Sequence, residues 1–302
     1  MHARFASVLA LLLTLGVGAP AQAQSSHDSP AAFFESLGNV MADLFLGPEV
    51  RESFHWEGKL ARGSLEIKGV NGSIKAITRS GDAVVVHAIK RGRRSEPSQV
   101  EIELVEHAGG LTICAVYPAP AGKPANECAP GKTGRMAVRN NDVAVDFDVT
   151  LPEKTPFVAR TVNGSIEASG LQADVTATSV NGSLKVISTG RVRAETVNGG
   201  VRIEAASASA ESVNGSIHAR LASTDWSEPL AFETVNGAVR LTLPEKASTA
   251  LDVKTTNGSI RSDFDLQGER RTRRALSGTI GAGGRTLSVR TVNGSVRVKK
   301  AL

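Results

Sequence analysis

The sequence predicts an all-β protein: a parallel β-solenoid with rungs of 16–22 residues, preceded by a short capping α-helix. Three observations carry that expectation. A corner sequence built on Val-Asn-Gly recurs along the chain, and apolar and charged residues alternate after each copy. Aromatics are absent from Thr161 through Leu221, so a core there must be filled by Val, Ile, Leu and Ala. A narrow coil suits such a core.

The chain opens with an apolar run from Phe5 to Val17, after His2 and Arg4. Ala19-Pro20-Ala21-Gln22-Ala23 follows and carries the small-x-small pattern of a signal-peptidase site. Residues 1–23 therefore read as a cleaved signal peptide, and the protein as exported to the periplasm or the medium. The run is too short to cross a bilayer comfortably. No transmembrane segment is expected in the mature chain.

Residues 24–50 form a separate N-terminal segment. Ser29-Pro30 is a good helix start, Phe33, Phe34, Leu37, Val40, Met41, Leu44 and Phe45 fall at helical spacing, and Gly47-Pro48 ends the run. An amphipathic helix over 30–46 is expected. It would cover the open first rung, because an exposed sheet edge needs covering. Its polar face carries Glu35 and Asp43 but no Lys or Arg, which argues against an anionic lipid partner.

Residues 51–302 are the repeat domain. Eight Asn-Gly pairs occur there. They are Asn71-Gly72, Asn163-Gly164, Asn181-Gly182, Asn198-Gly199, Asn214-Gly215, Asn236-Gly237, Asn257-Gly258 and Asn293-Gly294. From Asn163 onward they are 18, 17, 16, 22, 21 and 36 residues apart. Leu276-Ser277-Gly278-Thr279-Ile280 reads as a degenerate copy that divides the last interval. Asn and Gly tolerate positive φ, so each pair can turn the chain sharply. After each turn the pattern alternates, as in Ser183-Leu184-Lys185-Val186 or Ser295-Val296-Arg297-Val298, the mark of a half-buried strand. Asn-Gly is also the strongest hairpin signal, so an antiparallel sandwich is the competing fold. Near-constant spacing favours stacked rungs about 4.8 Å apart. Residues 75–160 are less regular and imply wider rungs with antiparallel excursions.

The repeated Thr-Val-Asn-Gly-Ser-Ile, the links Leu151-Pro152-Glu153-Lys154 and Leu243-Pro244-Glu245-Lys246, and the signal peptide together resemble a bacterial family of β-strand-repeat domains named "putative adhesin". The likeness covers residues 52–302. It implies a right-handed parallel β-helix at the cell envelope and transfers no catalytic residue.

Composition narrows the function classes. Thirty-five basic and 30 acidic residues give a net charge of +5, too dilute to imply nucleic acid. Cys114 and Cys128, alone in an exported chain, are expected to form one disulfide around a loop of about 15 residues. No metal or cofactor is expected, since His55, His87, His107 and His218 are scattered. Asn126 through Thr133 only superficially resembles a phosphate-binding loop, because strand rather than helix follows it.

Asp146 and Asp148 would stand about 7 Å apart on one strand face. That pair is the sole hint of a carbohydrate-active enzyme. Two basic clusters, Arg91, Arg93 and Arg94 (after Lys90) and Arg270, Arg271, Arg273 and Arg274, interrupt the repeat and are expected on loops as anion-binding candidates. The expected function is a non-catalytic, adhesin-like scaffold or binding module of the cell envelope. Its partner would be an anionic envelope polymer or an envelope protein. An enzyme on the same fold, or an accessory protein of envelope stress, is the alternative.

Overall fold

The computed structural model describes residues 48–301 apart from 61 and 225. The signal segment and the helix expected over 30–46 lie outside the described residues. Within them the protein is all-β, and the one helical element is a 3-10 turn at Pro97–Gln99.

Two parallel-rich sheets, A with eleven strands and B with twelve, share the core. Sheet A begins with β1 (Val50–Lys59), β4 (Ala83–Gly92) and β7 (Ala144–Pro152), paired antiparallel. Parallel pairing starts where β7 meets β3 (Ile74–Arg79). It continues through β9 (Ile166–Leu171), β11 (Leu184–Ser188), β13 (Val201–Ala205) and β15 (Ile217–Leu221). It ends with β17 (Val239–Leu243), β23 (Val296–Lys300) and β19 (Ile260–Ser262).

Sheet B has antiparallel ends. One is the hairpin β20 (Gln267–Arg271) and β21 (Ala275–Ile280), laid against β18 (Thr249–Asn257). The other is β5 (Glu101–His107) against β6 (Gly110–Val116). Between them run β22 (Thr286–Asn293), β16 (Leu230–Asn236), β14 (Ser207–Asn214) and β12 (Arg191–Asn198), all parallel. β10 (Val175–Asn181), β8 (Phe157–Arg160) and β2 (Ser64–Lys68) complete the series. From β9 to β17 the chain crosses from sheet to sheet, one strand in each per rung, in a solenoid-like path.

The alternation read from the sequence is the burial pattern of these strands. In β12 and β13, Val192, Ala194, Val201 and Ile203 are buried while Arg191, Arg193, Arg202 and Glu204 face out. Inward Ala168, Ala177, Ala194 and Ala219 keep the sheets close, and Phe147, Phe157 and Phe232 are fully buried elsewhere along the core. Truncating a buried aliphatic such as Ile203 to Ala costs about 2–5 kcal/mol.

The degenerate copy expected at 276–280 is not a rung. Those residues lie in β21, antiparallel to β18. A period of two marks a strand but carries no direction, so the sequence pattern could not tell the two apart. The real last rung, β22 and β23, is inserted between the Asn236 and Asn257 rungs, pairing with both. The irregular region does contain the antiparallel excursions expected of it, in β4 and in β5–β6.

Candidate functional site

All eight Asn-Gly pairs fall on one corner of the coil. Their spatial order is Asn71, 163, 181, 198, 214, 236, 293, 257, with the last two exchanged relative to the chain. Each side-chain amide after Asn71 donates from Nδ2 to Oδ1 of the preceding one in that order at 2.7–2.9 Å, an unbroken ladder of seven hydrogen bonds. Asn is suited to this because one amide carries both donor and acceptor.

The glycines are needed for a different reason from the one the sequence suggested. Among the eight, only Gly72 has a positive φ, at 121°. At Gly182, Gly199 and Gly215 a Cβ would run into the carbonyl of the glycine one rung away. Close stacking, not turn handedness, excludes a side chain. Except at Asn71, where Gly69 stands, the residue two before each Asn is a buried Ser or Thr whose hydroxyl donates to that same row of carbonyls, as from Thr196 to Gly182 at 3.0 Å and Ser212 to Gly199 at 3.1 Å. The Val between them points out. Val162, Val180, Val197, Val213, Val235 and Val292 form a stripe, each 39–40% exposed.

Two grooves flank this corner. One, of about 910 Å³, follows the valines from Val180 to Val292 and is walled by Glu195, Glu211 and Glu233. The other, of about 970 Å³, lies between the Asn71 and Asn163 corners and the loop around the disulfide. Cys114 and Cys128 are joined as expected. The loop is also held from below: Lys68 donates from Nζ to the carbonyls of Ala129 and Thr133, and Glu66 accepts from the Gly131 N–H at 2.8 Å. Burial pushes the Lys68 ammonium below its ordinary pKa, against the opposing pull of Glu66. Tyr117, whose hydroxyl donates to the Val143 carbonyl at 2.9 Å, is pushed up to about 12 by burial.

The two basic clusters are not equivalent loops. Arg91 lies within β4, and its guanidinium holds Asp146 and approaches Glu49 at 4.0 Å. Arg93 and Arg94 follow the strand end, where Asp142 accepts from their backbone N–H groups at 3.3 and 3.1 Å. Arg270 and Arg271 stand on the exposed β20, and Arg273 and Arg274 on the turn after it. Arg271 pairs with Glu269 at 2.6 Å.

Asp146 is engaged rather than poised for acid catalysis. Burial would raise its carboxyl, but the Ser73 N–H and hydroxyl, at 2.8 and 2.7 Å, and Arg91 outweigh that and hold it below the ordinary range. His55 and His87 meet across β1 and β4 with Nδ1 atoms 3.2 Å apart. No group of three or more metal-binding side chains gathers among the described residues.

One set of exposed residues escaped sequence reasoning. The fourth residue after each ladder Asn faces out of sheet A, and from Lys185 through Arg202, His218, Arg240 and Arg297 to Arg261 every one is a base. The fixed offset from Asn was the available signal. Alone, each such base reads as an ordinary solvated strand position.

An all-β chain of stacked parallel rungs with an amide ladder at one corner defines a class of repeat domain. Residues 136–299, more than half of the chain, match the family described as Toastrack DUF4097, and the protein belongs to that family. Among solved structures it is similar to a "putative cell adhesion protein" from Clostridium sporogenes, with 12% identity and a TM-score of 0.34, over 83% of this chain and all of that one. A "putative adhesin" from Bacteroides fragilis shares 12% identity over 82% of this chain and 97% of its own, with a TM-score of 0.43. One from Parabacteroides distasonis shares 11%, over 83% and 97%, with a TM-score of 0.37. No curated protein matches the chain.

Proposed function

We propose that the protein is an exported, non-catalytic, adhesin-like binding module of the bacterial cell envelope. Residues 1–23 would direct export, and the mature chain would display residues 51–302 as a rigid coil. The observation that carries this reading is the register-locked corner. Eight stacked amides fix each rung against the next, so outward side chains recur in register along each sheet. Such a surface suits recognition of a repeating partner. The Cys114–Cys128 disulfide supports an oxidising compartment.

Co-sedimentation of the purified protein with isolated envelopes across a salt series tests the reading. Protein that pellets at low salt and is released as salt rises past the 0.1 M range, where the Debye length is about 10 Å, is the expected result. A protein that stays in the supernatant at every salt concentration is no envelope-binding module.

A further inference from the structure

The row at the fourth position after each Asn has an unusual charge order. Lys75 and Glu167 precede it in sheet A; then Lys185, Arg202, His218, Arg240, Arg297 and Arg261 stand in direct register with no acid between them. At the spacing of paired strands these six span about 24 Å. Like charges set directly opposite one another across strands destabilise a sheet.

Little in the fold relieves that repulsion. Lys185 meets Glu167 at 2.6 Å, at the end of the row. Arg297 reaches Asp263 only through Nη2 at 3.8 Å, and its shielded Nε has no acceptor. Among the described residues no carboxylate lies within salt-bridge distance of Arg202, Arg240 or Arg261. Burial lowers the His218 pKa, and Arg240 and Arg202 lower it further.

The unbroken run of bases belongs to one face. On sheet B the corresponding row runs Glu195, Glu211, Glu233, Arg290 and Lys254, three acids followed by two bases. Exposed Ser183, Ser295 and Ser259 stand two residues before Lys185, Arg297 and Arg261 and add hydroxyls beside the row. The strands that carry the row hold no Phe, Tyr or Trp.

We propose that this row is the binding site for a linear acidic polysaccharide, an extended chain of sugars bearing carboxylates at repeated intervals. The inference rests on the envelope-binding reading above and names its ligand class. Guanidinium forks take carboxylates bidentately, and the serine row can bond sugar hydroxyls. Each exposed pair contributes little alone, but a polymer that engages several at once gains through effective concentration. Stacked bases would need aromatics, and a bilayer would need apolar side chains to insert. The row offers neither.

Calorimetric titration with polygalacturonate oligomers of graded length tests the proposal. Affinity should rise with length until the oligomer spans about 24 Å, and then level off. The double variant Arg202→Gln/Arg240→Gln should bind at least about tenfold more weakly, some 1.4 kcal/mol, with a Tm no lower than the parent. Replacing Arg270, Arg271, Arg273 and Arg274 together by Ala should change affinity by less than about twofold, as for charges off the contact.

No polygalacturonate binding, or binding unchanged in the double variant, overturns the proposal. So does tighter binding to polyphosphate or to vesicles of anionic phospholipid, or a dimer that the double variant dissolves, which would give the row to a second copy. If envelopes still pellet a protein that ignores polygalacturonate, only the ligand class falls. If envelopes fail too, the underlying reading falls with it.

Discussion

The flank built from β1, β4 and β7 and the coil built from β9 to β17 use the same kind of strand but settle charge in opposite ways. In the flank, antiparallel pairing sets each residue against one from a different sequence context, and opposite charges can meet, as Glu52 does Lys90. Buried Lys90 meets Glu52 at 2.7 Å and donates to the Val100 carbonyl, and Arg91 holds Asp146. In the coil, in-register parallel stacking sets each position against its own counterpart. That suits Asn, which can both give and accept a hydrogen bond, and it penalises Arg, which can only repeat its charge. A repeat therefore amplifies whatever a position carries, favourable at the corner and unfavourable four residues later.

The sharpest way to break the coil is at its glycines. Gly199→Ala drives a Cβ into the Gly182 carbonyl, whereas the nearest atom to a Cβ at Gly200 is 3.7 Å away. Urea denaturation should show a loss of about 3 kcal/mol or more for Gly199→Ala and less than about 0.5 for Gly200→Ala. Equal losses would refute the close-stacking account. On sheet B beside β6, outside the coil, reducing Cys114–Cys128 should cost about 3 kcal/mol. Hydrogen exchange should locate the loosening in the 117–143 loop and leave β12 to β15 protected.

The charge contrast itself predicts opposite signs. Arg91→Gln strips Asp146 of its charged partner and leaves it only Ser73, which should cost about 2 kcal/mol. Arg240→Gln relieves a like-charge row and should raise Tm by about 1 °C. If both destabilise alike, the comparison fails. Within the ladder, Asn198→Ala breaks two amide bonds and Asn257→Ala only one. Losses of about 2 and about 1 kcal/mol, respectively, are expected in thermal melts.

The smallest effect concerns pH. The folded-state pKa of His218 lies below its ordinary 6.5, so the unfolded chain binds the proton more readily. Stability should fall as pH drops through 6.5 toward the folded value, and His218→Gln should flatten that slope. A steeper acid slope in the variant would argue against it.

Much of this was legible in the chain. Strand alternation, the Asn corner and the cysteine pair could each be read from local spacing, because each is written within a few residues. Two things could not. The insertion of β22 and β23 before the Asn257 rung depends on which corners stack, and all corners look alike in sequence. The basic row, likewise, exists only after stacking. Arg202 and Arg240 are 38 positions apart in the chain and become near neighbours through His218.

The inserted last rung has a consequence for how the molecule is made. A coil wound in chain order could be completed as it emerges from a ribosome or a translocation pore, each turn settling on the one before. Here the slot between the Asn236 and Asn257 turns is filled by residues 286–300, the final stretch of the described chain. Until that segment arrives, the strand leading into the Asn257 turn has only the β20–β21 hairpin beside it and no parallel rung to rest upon. Assembly is thus held open until residues 286–300 are in place, and a chain cut short before 286 lacks the piece that joins the Asn257 turn to the Asn236 turn.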